Sequence, residues 1–211
     1  YDFTCADLSI NNTVTLTVND GHGNTSTCNA TVTVADNTAP TAICQNITVN
    51  LSGNTASVTA AQVNNGSTDN CGTANLGLST TSFSCASVGN NSVVLTVNDG
   101  YGNTATCSAT VTVNDNTNPT ALCQNVAVNL NSGGTATVAA AQVDNGSSDN
   151  CGIANLALST TAFNCSNVGN NTVTLTVTDN NGRTATCTAT VTVSDNTNPT
   201  ATCQSATVNL D

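Results

Sequence analysis

One segment occurs three times and constrains the chain more than anything else in it. Thr104–Gln124 reads TATCSATVTVNDNTNPTALCQ, and Thr25–Gln45 and Thr184–Gln204 repeat it with few changes. Each copy runs from alternating residues into Asp-Asn-Thr-x-Pro and then Thr-Ala-x-Cys-Gln. That order is a strand closing one β-module, a short stiff linker, and a strand opening the next. Proline fixes its own φ and biases the residue before it toward extended backbone, so Pro40, Pro119 and Pro199 stiffen the three linkers. The period is about eighty residues. It carries Cys44 onto Cys123 and Cys203, Cys71 onto Cys151, Cys85 onto Cys165, and Cys107 onto Cys187. A fixed period of this size signals a tandem array. The expected divisions are 1–36, the C-terminal half of a module; 37–115 and 116–195, two complete modules; and 196–211, the N-terminal strand of a further one. The simplest reading is a piece of a longer array.

Within a period the residue pattern is that of strands. Val173, Leu175 and Val177 alternate with threonines. After Asp179-Asn180-Asn181-Gly182 the alternation resumes through Ala185, Cys187, Ala189, Val191 and Val193. Strict alternation on both sides of a Gly-containing turn is a hairpin with one buried face. Upstream, Val126, Val128 and Leu130 alternate, Asn131–Gly134 is a turn, and Thr135–Ala140 a second strand. Asp144–Gly152 is a loop of turn formers. Ile153–Thr160 and Ala162–Cys165 read as middle strands, with Val168–Asn171 a turn. Some seven short strands per period and no helical periodicity give an all-β fold: tandem immunoglobulin-like β-sandwich modules of about 80 residues.

The core is thin. Aromatic residues are 2% of the chain, so Val, Ala and Leu must supply the buried volume. A domain of this size is marginal on burial alone, and disulfides offset that. The chain has 11 cysteines, which indicates an oxidising compartment. No Cys-x-x-Cys pair is present, which argues against zinc. Because the leading segment keeps Cys5 and Cys28 together, the favoured pairing is first with second and third with fourth. That gives Cys5–Cys28, Cys44–Cys71, Cys85–Cys107, Cys123–Cys151 and Cys165–Cys187. Each bridge closes a loop of about 20–30 residues and is worth roughly 3 kcal/mol in the chain-entropy model. Cys203 is left over.

Charge excludes several partners. The net charge is −11, all 12 acids are aspartate, and Arg183 is the single Lys or Arg. Nucleic acid and anionic membrane surfaces need clustered cations, so neither fits. No apolar run is long enough to span a bilayer. The single histidine, His22, lies in a hairpin turn where the other copies have Tyr101 and Asn181. A Ser-His-Asp triad cannot form in the complete modules, and aspartates recurring in every copy read as structural parts. The chain therefore reads as a non-enzyme.

Sandwich topology makes a spatial prediction. The linker, the loop after the second strand and the last hairpin turn share one end of a module. In the second complete module that end gathers Asp115, Asp144, Asp149 and Asp179. In the first it gathers Asp36, Asp69 and Asp99, with Asn65 where the other has Asp144. Asp195 holds the same place in the last linker. Clustered carboxylates with backbone carbonyls suit calcium, a hard cation taking six to eight oxygen ligands. The competing reading is that Asp and Asn build turns and nothing more.

The stretch VTLTVTDNNGRTATCTATVTV followed by SDNTNPTATCQ, with DNGSSDNCG upstream, resembles the hyalin-repeat (HYR-like) modules strung along bacterial surface proteins, those of Bacteroidota above all. The resemblance implies a secreted or surface-anchored adhesive or structural array. The linker motif Asp-Asn-x-x-Pro at Asp36, Asp115 and Asp195 also resembles the calcium-binding junction of cadherins, although the remaining ligands are spaced differently. The expected function is a structural repeat region of an extracellular adhesin, stalk or filament, stiffened by disulfides and calcium. Its partners are neighbouring modules, other copies in a filament, or a surface ligand. The alternatives are a glycan- or protein-binding module and a non-catalytic region of a secreted enzyme.

Overall fold

The computed structural model describes residues 1–72 and 75–209. The chain divides into two compact units, Tyr1–Asn114 and Asp115–Asp211. Strands β1 (Asn11–Asn19) and β2 (Thr25–Thr33) form a hairpin at the start of the first unit. The unit continues with β3 (Ile47–Asn50), β4 (Thr55–Ser57), the single-turn helix α1 (Ala60–Val63), β5 (Asn75–Leu78), β6 (Ser82–Ser84), β7 (Gly89–Asn98) and β8 (Thr104–Asn114). The second unit repeats this order: β9 (Val126–Asn129), β10 (Thr135–Thr137), α2 (Ala140–Val143), β11 (Ile153–Leu158), β12 (Ala162–Asn164), β13 (Gly169–Asp179) and β14 (Thr184–Ser194).

In each unit a four-stranded sheet, ordered β3-β8-β7-β5 or β11-β13-β14-β9, lies beside a two-stranded one, β4-β6 or β10-β12. The first strand of each set runs parallel to the last, with Ile47 opposite Val111 and Val126 opposite Val191. The alternation read from the sequence decides what is buried. Val173, Leu175, Val177, Ala189, Val191 and Val193 are all buried, and their threonine neighbours are half-exposed or, at Thr172 and Thr188, exposed. Leu130, Val138, Val143 and Phe163 close the core from the other side.

Three local expectations need correction. Thr135–Ala140 is not one strand: β10 stops at Thr137 and α2 starts at Ala140. The Gln142 side chain accepts from the Ala139 N–H at 2.8 Å, turning the backbone so that Val143 plugs the core. Val168–Asn171 is not a free turn, because β13 starts at Gly169 and its ladder runs opposite Val193 from there. The strand expected over 196–211 does not form in residues 196–209, and its last two positions lie outside the described residues. The equivalents β3 and β9 exist by pairing in parallel with β8 and β14. No such edge is paired with 196–209 among the described residues.

The cysteine pairing is also different. The bridges are Cys5–Cys71, Cys44–Cys107 and Cys123–Cys187. Cys85 and Cys151 are disulfide-bonded as well, while Cys28, Cys165 and Cys203 are free thiols. Hairpin register rules out the third-with-fourth scheme. Cys107 stands opposite Leu95, whereas Cys85 precedes Gly89, the first residue of β7. The strand between Gly89 and Leu95 covers roughly 20 Å at ~3.3 Å per residue, far beyond the Cα separation a disulfide tolerates. Cys5–Cys28 and Cys165–Cys187 fail for the same reason. Cys44–Cys71 fails because Thr41 pairs with Thr68 and Cys44 with Asn64, so the loop carries Cys71 away from Cys44 toward the linker. Cys123–Cys151 fails likewise, Cys123 pairing with Asp144. The observed bridge spans 63 residues in Cys44–Cys107 and fixes the opening segment to the last strand. A loop of that length is worth about 4 kcal/mol in the chain-entropy model.

Candidate metal centre

Three carboxylates meet at one end of the first unit. Asp36 comes from the linker after β2, Asp69 from the loop after α1, and Asp99 from the turn between β7 and β8. One oxygen from each lies within 4.8 Å of the others. Asp36 is 9% exposed and Asp99 2%. Aspartate is rarely buried without a partner that offsets the lost hydration.

Each acid spends one oxygen on local backbone. Asp36 Oδ1 accepts the Thr38 N–H at 2.9 Å, and Asp69 Oδ2 accepts the Cys71 N–H at 2.9 Å. Asp99 Oδ1 accepts the N–H groups of Tyr101, Gly102 and Asn103 at 2.8–3.0 Å. Burial pushes the Asp99 carboxyl up, but these donors and the Asn103 amide outweigh it and hold the group below its ordinary range. This is the turn-building role, and Asp20 plays it alone in the exposed β1–β2 turn. Asp99 Oδ2 accepts the Asn103 side-chain amide at 2.6 Å, so the second oxygens of Asp36 and Asp69 are the ones available to a cation. Asp36 Oδ2 is buried with no hydrogen-bond partner.

Asn70 reports on the same space. Turned one way, its amide nitrogen donates to Asp36 Oδ1 at 3.5 Å. Turned over, it donates to both Asp69 oxygens at 3.2 Å. In the first orientation its oxygen faces the Asp69 carboxylate, which is favourable only with positive charge between them. Asn103 fixes the linker against this site by donating to the Asp36 main-chain carbonyl at 3.0 Å.

The period equivalents in the second unit are Asp115, Asp149 and Asp179, where Asn150 and Asn181 reach Asp115 from the other two loops; among the described residues the three-carboxylate grouping within 4.8 Å is that of Asp36, Asp69 and Asp99. Asp115 and Asp179 are 5% and 1% exposed. Asp149 Oδ1 and Asp179 Oδ2 are buried without a hydrogen bond. Asp115, however, is saturated: Oδ1 accepts from Thr117 and Asn150, and Oδ2 accepts from Asn181 at 2.8 Å. Arg183 replaces Asn103 and spreads its guanidinium over the linker. Nε donates to the Asp115 carbonyl at 3.2 Å, and Nη2 to Asn116 Oδ1 at 2.8 Å. The chain's one fixed cation thus lies on this corner and not on the other.

The remaining expected ligands stand apart. Asp144 accepts the Ser147 N–H at 3.1 Å, and the Ser147 hydroxyl leads the interactions that lower its pKa. Its counterpart is Asn64, which binds Ser67 in the same way, and not Asn65. Asn65 gives its N–H to the Ile43 carbonyl. Asp195 is exposed and accepts the Thr197 N–H of its own linker at 3.0 Å. The asparagines Asn70, Asn103 and Asn181 escaped the sequence reading. For Asn70 and Asn103 the available signal was a fixed place near an aspartate, as in Asp-Asn-Cys-Gly and Asp-Gly-x-Gly-Asn; Asn181 has Tyr101 and His22 as its equivalents and carries no such signal.

Residues 114–193 match the HYR domain family. That HYR segment carries the Asp115, Asp149 and Asp179 corner and the Cys123–Cys187 bridge. Among curated proteins none matches the chain. Among solved structures, a protocadherin gamma B3 fragment (EC1-4) is 14% identical with a TM-score of 0.38, covering 87% of this chain and 57% of that one. Protocadherin gamma C5 EC1-3 is 11% identical with a TM-score of 0.40, covering 90% and 79%. The Ig1-2 module of the Drosophila receptor protein tyrosine phosphatase DLAR is 12% identical with a TM-score of 0.24, covering 74% and 100%. Nothing about ligand or partner follows from likenesses of this size. No helix among the described residues is long and apolar enough to cross a membrane.

Proposed function

We propose that the chain is a structural repeat region of an extracellular adhesin, stalk or filament, stiffened within repeats by disulfides and between linker and repeat by calcium. The observation that carries the calcium reading is the Asp36, Asp69 and Asp99 convergence around a buried carboxylate oxygen with no partner. The donor set fits. Carboxylate oxygens, an asparagine amide oxygen and solvent are the hard ligands calcium selects, and no sulfur or imidazole competes for the position. Bound calcium neutralises the mutual repulsion of the acids. It also ties the linker residue Asp36 to two loops of the repeat that follows, which restricts bending there. The HYR match and the disulfides support an extracellular, non-catalytic setting.

Calorimetric titration of the full chain with calcium, beside magnesium and a chelated control, tests the reading. The expected result is heat with calcium, a rise in melting temperature, and loss of the tighter event in Asp69→Asn. Absence of calcium-dependent heat and of any stabilisation overturns the calcium part and leaves the structural repeat reading to be judged separately.

A further inference from the structure

The Cys5–Cys71 bridge is unlike the other two described pairs. Cys44–Cys107 and Cys123–Cys187 each tie the opening segment of a repeat to that repeat's own last strand. Cys5 instead precedes β1, in the leading hairpin segment, and Cys71 sits in the Asp-Asn-Cys-Gly loop of the repeat that follows. The bridge therefore crosses a linker. It lies in a cleft of about 430 Å³ whose walls include Cys5, the linker residues Asp36–Thr38, and Asn70 and Cys71.

The same cleft recurs in the second unit with one wall open. Cys165 is the period equivalent of Cys5 and of Cys85, and Cys85 is disulfide-bonded. Cys165 is a free, exposed thiol. It lines a cleft of about 520 Å³ with Gly134, Asp195, Thr197 and Pro199, the next copy of the linker. Its sulfur is held in place. Sγ lies 3.7 Å from the Gly134 carbonyl, as Cys85 Sγ lies 3.9 Å from that of Asn54. Gly134 has φ +72, and a Cβ there would stand 2.8 Å from Cys165 Sγ. In the left-handed conformation that Gly134 adopts, glycine leaves room beside the thiol that a side chain would take.

We propose that Cys165 is one half of a linker-crossing disulfide whose other half is the cysteine of an Asp-Asn-Cys-Gly loop in a further repeat of this type. Such a loop is the occupant because Asn70 and Cys71 fill the equivalent cleft in the first unit, and because both loop cysteines of this chain are already bonded. The two thiols lose two protons and two electrons to a disulfide oxidant such as glutathione disulfide, which leaves as two glutathione molecules. Exchange passes through a mixed disulfide. The inference rests on the repeat reading and not on calcium.

The test has two arms, both run in chelator so that calcium plays no part. In the first, the full chain is lengthened after Asp211 by a copy of residues 132–195, oxidised with a glutathione couple, and mapped by non-reducing peptide mass spectrometry. Cys165 joined to the added loop cysteine is the expected product. Cys165 recovered as a free thiol, or joined elsewhere, overturns the proposal. The second arm does not depend on folding of the added repeat. The full chain with Cys28→Ser and Cys203→Ser is treated with the peptide Ser-Ser-Asp-Asn-Cys-Gly carrying its cysteine as a 2-thiopyridyl disulfide. Cys165 thiolate attacks the peptide sulfur and releases thiopyridone. Release about tenfold faster than with a scrambled peptide is expected, and equal rates overturn the proposal.

Discussion

Asn181 donates its side-chain amide to Asp115 Oδ2 at 2.8 Å, filling the oxygen that is left without a partner in Asp36. The residue in that position of the first unit is Tyr101, which has no amide to offer. The two acid corners therefore differ in readiness for a cation, and the Asp36 corner is expected to bind calcium more tightly. Tyr101→Asn transplants the competing donor. A hydrogen bond to a charged group is worth about 1.5–3 kcal/mol, so calcium affinity at the first corner should fall roughly tenfold or more. Titration of the variant checks this, and unchanged affinity means that Asp36 Oδ2 is no ligand.

Arg183 acts on the other corner in the opposite sense. Its guanidinium anchors the linker through the Asp115 carbonyl and Asn116. It also places positive charge where a cation would have to approach. Arg183→Asn restores the residue type of Asn103 and should strengthen calcium binding at Asp115, Asp149 and Asp179 by roughly tenfold, the equivalent of ~1.4 kcal/mol. The same variant should loosen the linker without calcium, seen as faster amide exchange at Asn116 and Thr117. A variant that binds calcium no better would assign Arg183 a purely mechanical role.

The hairpins, the buried faces and the meeting of three loops at one pole were legible because period-two alternation and turn residues fix them locally. Val173, Leu175 and Val177 are buried as their spacing requires. The disulfides were not legible. Cys85 and Cys107 are close in sequence, but β7 carries the chain the length of the sheet between them. Only three-dimensional register reveals that Cys44 faces Cys107. Asp144 stands apart from the other acids for a related reason. It lies in the same loop as Asp149, yet α2 ends on it and turns its carboxylate to Ser147. Composition marks the loop as acidic, and the backbone path decides which acids face one another.

Leu95 and Leu16 occupy the same hairpin position, opposite Cys107 and Cys28. Leu95 is 0% exposed and Leu16 61%. Leu95→Ala should cost about 2–5 kcal/mol, since it removes transfer energy and opens a cavity in a tightly packed core. Leu16→Ala should stay within about 0.5 kcal/mol, as surface substitutions usually do. Chemical denaturation of the two variants separates these outcomes. Comparable losses would mean that the leading hairpin is covered in solution.

Acid should act through the turn aspartates. Burial raises the Asp99 carboxyl, but the N–H of Tyr101, the Asn103 side chain and the N–H groups of Asn103 and Gly102 together bring it below its ordinary value of 3.8. Its folded pKa is therefore lower than its unfolded one. Between those two values the unfolded chain binds more protons, so stability rises with pH there. The contribution is complete above about pH 4. It is lost as pH falls through the folded pKa, when neutral Asp99 holds its three backbone donors less strongly than the carboxylate does. In chelator, the melting temperature of the first unit should be nearly flat from neutral pH to about 5 and fall below 4. Asp99→Asn should lower it at neutral pH and flatten the acid limb. An acid limb of unchanged steepness in the variant would move the effect to other carboxylates, with Asp144, also held low, first among them.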